Sequence, residues 1–68
     1  MKNIIKLTKF NGFDQPTTPV LVGTQSIIIA ESWTYVNDKV ITEIKIRGAM
    51  IEYIKVLESI DEIYNLSL

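Results

Sequence analysis

The chain has 68 residues, 47% of them hydrophobic, and a formal net charge of −1. A chain of this length forms one small domain, residues 1–68, whose single hydrophobic core is marginal without further stabilisation. It contains neither cysteine nor histidine, which excludes disulfides and removes the commonest zinc ligands. Self-association is the means of stabilisation that remains, so we expect a homo-oligomer.

Charge and hydropathy also restrict the partners. Proteins that bind nucleic acid non-specifically carry a basic excess, and this chain has seven basic against eight acidic residues. Its longest apolar run falls far short of the ~20 residues that a membrane helix requires, and the N-terminal residues lack a signal-peptide cleavage pattern. We therefore expect a cytoplasmic protein with no non-specific nucleic-acid binding, no membrane insertion, no metal and no cofactor.

Alternating hydrophobic residues in the first half of the chain predict short strands. The segment NIIKLTKF, residues 3–10, alternates and ends at the turn signal Asn11-Gly12. The segment FDQPTTP, residues 13–19, contains two prolines and predicts a loop. The next segment, residues 19–33, predicts two short strands separated by a bend or bulge at Gly23.

Within these strands, the pattern places Ile27 and Ile29 on a common face, as it does Val20 and Val22. It leaves open whether residues 33–36 pair as a strand. A turn is expected at residues 37–38.

The segment from Lys39 to Leu57 predicts a β-hairpin, because it alternates on both sides of Gly48-Ala49. A two-residue type II′ turn there has glycine first, as that turn favours. It pairs Arg47 with Met50. The hydrophobic residues that this register places on the core-facing side are Val40, Ile44, Ile46, Ile51, Tyr53 and Leu57.

The reverse face of the hairpin is mixed in character. Lys45 lies opposite Glu52 as a cross-strand ion pair, beside the apolar side chains of Ile41, Met50, Ile54 and Val56. Because an exposed apolar patch on a small protein usually marks an interface, these four residues are the predicted oligomer interface. The alternative is that the terminal helix, or residues 26–30, covers this face within one chain.

A short helix is predicted at the C-terminus. Ser59 precedes Glu62 by three residues, the capping-box spacing, and Asp61 and Glu62 suit the first turn of a helix. The predicted fold is therefore mainly β (α+β). It is a small antiparallel sheet or partly open barrel of four to five short strands with one short C-terminal helix.

Two motifs near the chain ends carry a family resemblance. The first comprises Ile5, Lys6, Leu7, Thr8, Asn11 and Gly12, and the second Val56, Glu58, Ser59, Glu62 and Ile63. Together they resemble the small FlbD/SwrD-like flagellar-associated proteins, across residues 4–66 with one gap. The insertion FDQPTTP and the segment ESWTYVND depart from that pattern. The resemblance implies a small β-rich cytoplasmic factor that acts as an interaction module rather than an enzyme.

The residues themselves also favour a protein without catalytic activity. There is no histidine for acid–base chemistry at neutral pH, and the capping role accounts for Ser59. The three glycines, Gly12, Gly23 and Gly48, lack the spacing of a phosphate-binding loop. We therefore predict that the protein is not an enzyme.

Two functions from different classes remain. The first is a non-catalytic oligomeric protein-interaction module, an adaptor or regulator. The second is an oligomeric small-ligand binder that sequesters an anionic nucleotide-like molecule, as phage counter-defence proteins do. Its candidate ligand-binding residues are Lys45, Arg47, Trp33, Tyr35 and Tyr53, since arginine matches phosphate geometry and aromatics are frequent at binding surfaces. Alternatively, Arg47 is a solvated turn residue and the aromatics belong to a thin core or a subunit contact.

Overall fold

Five antiparallel strands and one helix make up the computed structural model, which describes residues 2–35 and 37–68. Their bounds are Ile4–Lys9 (β1), Thr18–Gly23 (β2), Ile27–Thr34 (β3), Val40–Arg47 (β4), Ile51–Val56 (β5) and Ile60–Leu66 (α1). They form one open sheet in the order β2-β1-β5-β4-β3, so the predicted antiparallel sheet with a short C-terminal helix is confirmed.

The sheet consists of a β1–β2 hairpin joined to a β3–β4–β5 meander. β1 and β5 are aligned at the pair Lys9 and Val56, and flanking backbone bonds run from Phe10 N–H to Lys55 O (2.7 Å) and from Leu57 N–H to Thr8 O (2.9 Å). The carboxylate of Glu58 strengthens this junction. It accepts hydrogen bonds from the Thr8 backbone N–H (2.8 Å) and the Thr8 hydroxyl (2.9 Å).

The hydrophobic core lies between the sheet and α1. Its members alternate along the strands and are joined by one helix residue: Ile5, Leu7, Val22, Ile44, Val56 and Ile63. We call the side of the sheet that they occupy the core face and the opposite side the outer face. Strand alternation determines which face each residue occupies.

The predicted two-residue turn is wrong, because the loop contains three residues, Gly48 to Met50, and Arg47 pairs with Ile51. The extra residue shifts the register by one and redistributes the side chains. Ile44 now lies opposite Ile54, while Lys45 lies opposite Tyr53 rather than Glu52. The predicted core face thus combined residues of both faces: Ile44 and Ile46 pack on the core, whereas Ile51 and Tyr53 are on the outer face.

Two further details of the strands differ from expectation. A bulge in β3 lets Ile27 pair with Ile46 and Ile29 with Lys45, which places Ile27 and Ile29 on opposite faces. The predicted loop also ends two residues earlier than expected, since Thr18 and Pro19 belong to β2. Proline is tolerated there because β2 is an edge strand.

The predicted bend at Gly23 and the predicted helix cap at Ser59 are confirmed. Gly23 ends β2 and a single 3₁₀ turn leads into β3. Ser59 and Glu62 form the reciprocal capping box, with both side chain to backbone distances at 3.1 Å. Trp33 and Thr34 complete β3, while Val36 lies outside the described residues.

Candidate functional site

The outer face of β3, β4 and β5 carries hydrophobic and aromatic side chains that remain open to solvent. Trp33 is 47% exposed, Ile51 55% and Tyr53 61%. Ile41, which pairs with Trp33, is the buried residue of this face. Trp33 is separated from Ile51 and Tyr53 by the charged row Glu31, Glu43 and Lys55. Large aromatic side chains left open to solvent beside polar groups are typical of binding surfaces.

Aromatic rings and two lysines assemble at one end of the outer face. The Phe13 ring contacts Tyr35 and Phe10 edge-on, at centroid distances of 5.0 and 5.4 Å. The Lys39 ammonium lies 5.8 Å from the Phe10 ring. The members of this aromatic–lysine cluster are Phe10, Phe13, Trp33, Tyr35, Lys39 and Lys55.

Lys55 is the centre of the cluster. Its ammonium lies 5.6 Å from the ring centroids of both Trp33 and Tyr35 and donates to the Tyr35 hydroxyl at 3.1 Å. This hydrogen bond raises the pKa of Lys55, with a smaller contribution in the same direction from Glu43, opposite it in β4. Lys55 therefore presents a fixed positive charge between two aromatic rings at neutral pH.

A second lysine–aromatic pair lies further along the same face. The three-residue loop places Lys45 opposite Tyr53, and the Lys45 ammonium lies 5.8 Å from the Tyr53 ring. Arg47 follows two residues later, exposed and on the same side. On this face the basic side chains of Lys45, Arg47 and Lys55 outnumber the acidic side chains of Glu31 and Glu43. The whole chain, by contrast, has a net charge of −1.

The five predicted ligand-binding residues thus share one face but form two groups. Trp33 and Tyr35 belong to the aromatic–lysine cluster, while Lys45, Tyr53 and Arg47 lie towards the Gly48 loop. Sequence reasoning missed Phe10, Phe13, Lys39 and Lys55. Alternation with Tyr53 would have placed Lys55 on the same side, but its contact with Trp33 depends on the β3–β4–β5 register.

The four predicted interface residues are not together. Ile41 and Val56 are buried within the chain, on opposite faces of the sheet, and Ile54 is half-buried against the core. Met50 alone of the four is strongly exposed, at 75%, in the loop. The prediction failed because the assumed turn assigned Ile54 and Val56 to the reverse face, whereas the shifted register directs them into the core.

The surface has shallow grooves rather than a deep cavity. The groove beside the aromatic–lysine cluster has a volume of about 210 Å³ and is bordered by Phe10, Phe13 and Lys39. Across residues 2–35 and 37–68, acidic side chains do not gather in groups of three that could hold a metal ion. The helix in this described part is too short and polar to cross a membrane.

Comparison with known proteins finds no matching family model, no similar curated protein and no similar solved structure. The two sequence motifs nevertheless have a clear structural role. Leu7, Val56 and Ile63 meet in the core, and Thr8 and Glu58 form the hydrogen bonds that join β1 to the end of β5. These five motif residues therefore stabilise the fold, whereas Gly12 of the first motif borders the groove beside the aromatic–lysine cluster.

Proposed function

We propose that the protein is a non-catalytic, oligomeric protein-interaction module, an adaptor or regulator, that acts in the cytoplasm. Its outer face binds an acidic, partly apolar segment of a partner protein. The observation that supports this most directly is that Trp33 and Tyr53 are about half exposed, each beside a lysine ammonium.

The chemistry of the outer face matches that of interaction hot spots. Tryptophan and tyrosine supply large rigid contact areas and are the residues that most often dominate binding energy. Lys45, Arg47 and Lys55 surround them and attract carboxylates of a partner. The hydroxyl of Ser59 and the carboxylate of Glu58 have structural roles, since Ser59 caps α1 and Glu58 accepts a hydrogen bond from the Thr8 N–H.

Replacing Tyr53 by alanine is expected to weaken partner binding about tenfold or more, because hot-spot aromatics contribute about 2 kcal/mol or more. Tyr64→Ala is the matched control, since Tyr64 is 64% exposed but lies on α1, away from the outer face. Proteins retained by the tagged wild type are identified, and the affinity of each purified candidate for both variants is measured by calorimetry.

The charge requirement is tested in the same assay. Lys45→Glu is expected to weaken the binding of an acidic partner strongly, while Lys6→Glu, in the groove beside α1, leaves it unchanged. Equal binding by the wild type and by the Tyr53→Ala and Lys45→Glu variants contradicts the proposed surface, whatever proteins the wild type retains.

A second candidate function is the sequestration of a small anionic, nucleotide-like ligand. The two lysine–aromatic arrangements support it, since aromatic faces stack with bases and ammonium groups attract phosphate. The groove beside the cluster, about 210 Å³, is smaller than the roughly 300 Å³ at which ligand pockets begin. At this site a nucleotide therefore requires a junction between two copies.

Native mass spectrometry separates the two functions. For sequestration, we expect wild-type protein incubated with a panel of mono- and dinucleotides to retain one of them in an oligomer, and Lys55→Ala to lose it. Retention of none of the nucleotides, together with Tyr53-dependent protein binding, favours the interaction module.

A further inference from the structure

We infer that two copies of the chain associate by pairing their β3 strands, antiparallel and edge to edge, about a two-fold axis at Ser32. The inference rests on the proposed function, whose oligomeric character it specifies. Its basis is the difference between the two edges of the sheet and the direction of the backbone groups along β3.

The two edge strands, β2 and β3, differ in their capacity to pair. β2 contains Pro19, which has no N–H and interrupts the row of donors that a neighbouring strand requires. β3 has eight residues, IIIAESWT, without proline, glycine or lysine. Natural proteins normally protect long apolar edges with proline, lysine or a bulge. The bulge of β3 is confined to Ile27–Ile29, so the edge that follows it is open to strand addition.

The hydrogen bonds of β3 identify which backbone groups are directed outwards. Tyr35 N–H donates to Lys39 O at 2.9 Å, so this pair belongs to the hydrogen-bonded set of the β3–β4 ladder. Because such pairs recur every second residue, Glu31 and Trp33 also bond to β4. The alternate residues, Ala30, Ser32 and Thr34, direct their N–H and C=O groups towards the free edge.

A second copy of β3 fits this edge with Ser32 on the two-fold axis. β3 has a bulge between Ile27 and Ile29, so the regular part of its free edge begins after the bulge. With Ser32 opposite Ser32 of the second copy, Ala30 lies opposite Thr34 and all three outward residues form hydrogen-bonded pairs. Shifting the axis to Glu31 places two carboxylates opposite each other, which is unfavourable.

Charge also favours the Ser32 register. It places Glu31 of one copy opposite Trp33 of the other. The Lys55 ammonium of that second copy lies 5.6 Å from its own Trp33 ring. Within its own chain Glu31 lies directly opposite Glu43, so the second copy brings a positive charge to an acidic position. The outer faces of the two copies then become continuous, with their aromatic–lysine clusters side by side.

Ser32→Cys provides the most direct test because the natural chain has no cysteine. Residues opposite each other in a hydrogen-bonded antiparallel pair have Cα atoms about 5.5 Å apart, but their Cβ atoms are up to about 5.5 Å apart, beyond the ~4.5 Å of an ordinary disulfide. We therefore expect this variant to form a covalent dimer with a short bismaleimide crosslinker. Leu21→Cys on the edge strand β2, where Leu21 is 74% exposed, is expected to form little or none.

Light scattering without crosslinker supplies the second measurement. We expect wild type and Ser32→Ala to have twice the chain mass at micromolar concentration, and Ser32→Lys to have the mass of one chain, since it brings two ammonium groups together at the axis. Ser32 is exposed, so neither substitution should prevent folding, which circular dichroism verifies.

Two results overturn the inference in distinguishable ways. If the protein stays oligomeric with Ser32→Lys and Ser32→Cys does not crosslink, pairing through the β3 edge is excluded. The hypothesis of an oligomeric module is then retained. A wild-type monomer rejects both the edge pairing and the oligomeric part of the proposed function. Partner binding through Tyr53 is measured separately and is unaffected by either result.

Discussion

Ile44→Ala is expected to destabilise the protein by about 2–5 kcal/mol, the range for removing a buried branched side chain from a core. Ile44 is fully buried, with Ala30 opposite it in β3 and Ile54 opposite it in β5. A domain of this size rarely has more than about 3–5 kcal/mol of stability. We therefore expect this single substitution to leave little or no folded protein at room temperature, as measured by urea unfolding.

Two matched variants keep this prediction testable if Ile44→Ala does not fold. Ile44→Val removes one methyl group and is expected to cost about 0.5–1.5 kcal/mol with the fold retained. Ile51→Ala changes an isoleucine that is 55% exposed on the outer face, and its effect should stay within about 0.5 kcal/mol. Similar losses for Ile44→Ala and Ile51→Ala would contradict the assignment of the two faces. Protein concentration must be held constant because self-association adds to the apparent stability.

Glu58→Ala is expected to lower the free energy of unfolding by about 2–3 kcal/mol. Its carboxylate accepts two hydrogen bonds from Thr8, at 2.8 and 2.9 Å, across 50 positions of sequence. Hydrogen bonds to a charged group contribute about 1.5–3 kcal/mol, and removing the acceptor leaves part-buried donors without a partner. The effect is measured by urea unfolding, and we expect amide exchange to accelerate first in β1 and β2.

The geometry of Glu58 predicts a graded series. In Glu58→Gln the amide oxygen can accept from the Thr8 N–H while the amide nitrogen donates to the Thr8 hydroxyl, so about 1 kcal/mol or less should be lost. Glu52→Ala is the control, because Glu52 is an exposed carboxylate of β5. If Glu58→Gln proves as damaging as Glu58→Ala, the charge rather than the two hydrogen bonds holds β1 against β5.

Local signals in the sequence were sufficient for much of the fold. β-branched residues in alternation predict strands, and the terminal segment contains a complete capping box from Ser59 to Glu62. These predictions were accurate because each depends on the conformation of a few neighbouring residues. The motif residues Thr8 and Glu58 were also identified, although their mutual hydrogen bonds were not.

The candidate site was less predictable, since it depends on which residues lie opposite one another. Because the Gly48 loop has one residue more than the predicted turn, Tyr53 lies on the outer face beside Lys45 and Val56 lies in the core. The bulge after Ile27 similarly separated Ile27 from Ile29. A change of one residue in register reverses the faces, and alternation alone is the same in both registers.

By itself, the amino-acid sequence determined that this protein is a small antiparallel sheet with a capped C-terminal helix, since propensity, alternation and capping act over short distances. Only the tertiary structure decided which side chains are buried and which are exposed. The strand order left β3 at an edge, and the register gathered Lys55, Trp33 and Tyr35 on one face. Both follow from pairing between distant segments, whose energies depend on the packing of the whole chain.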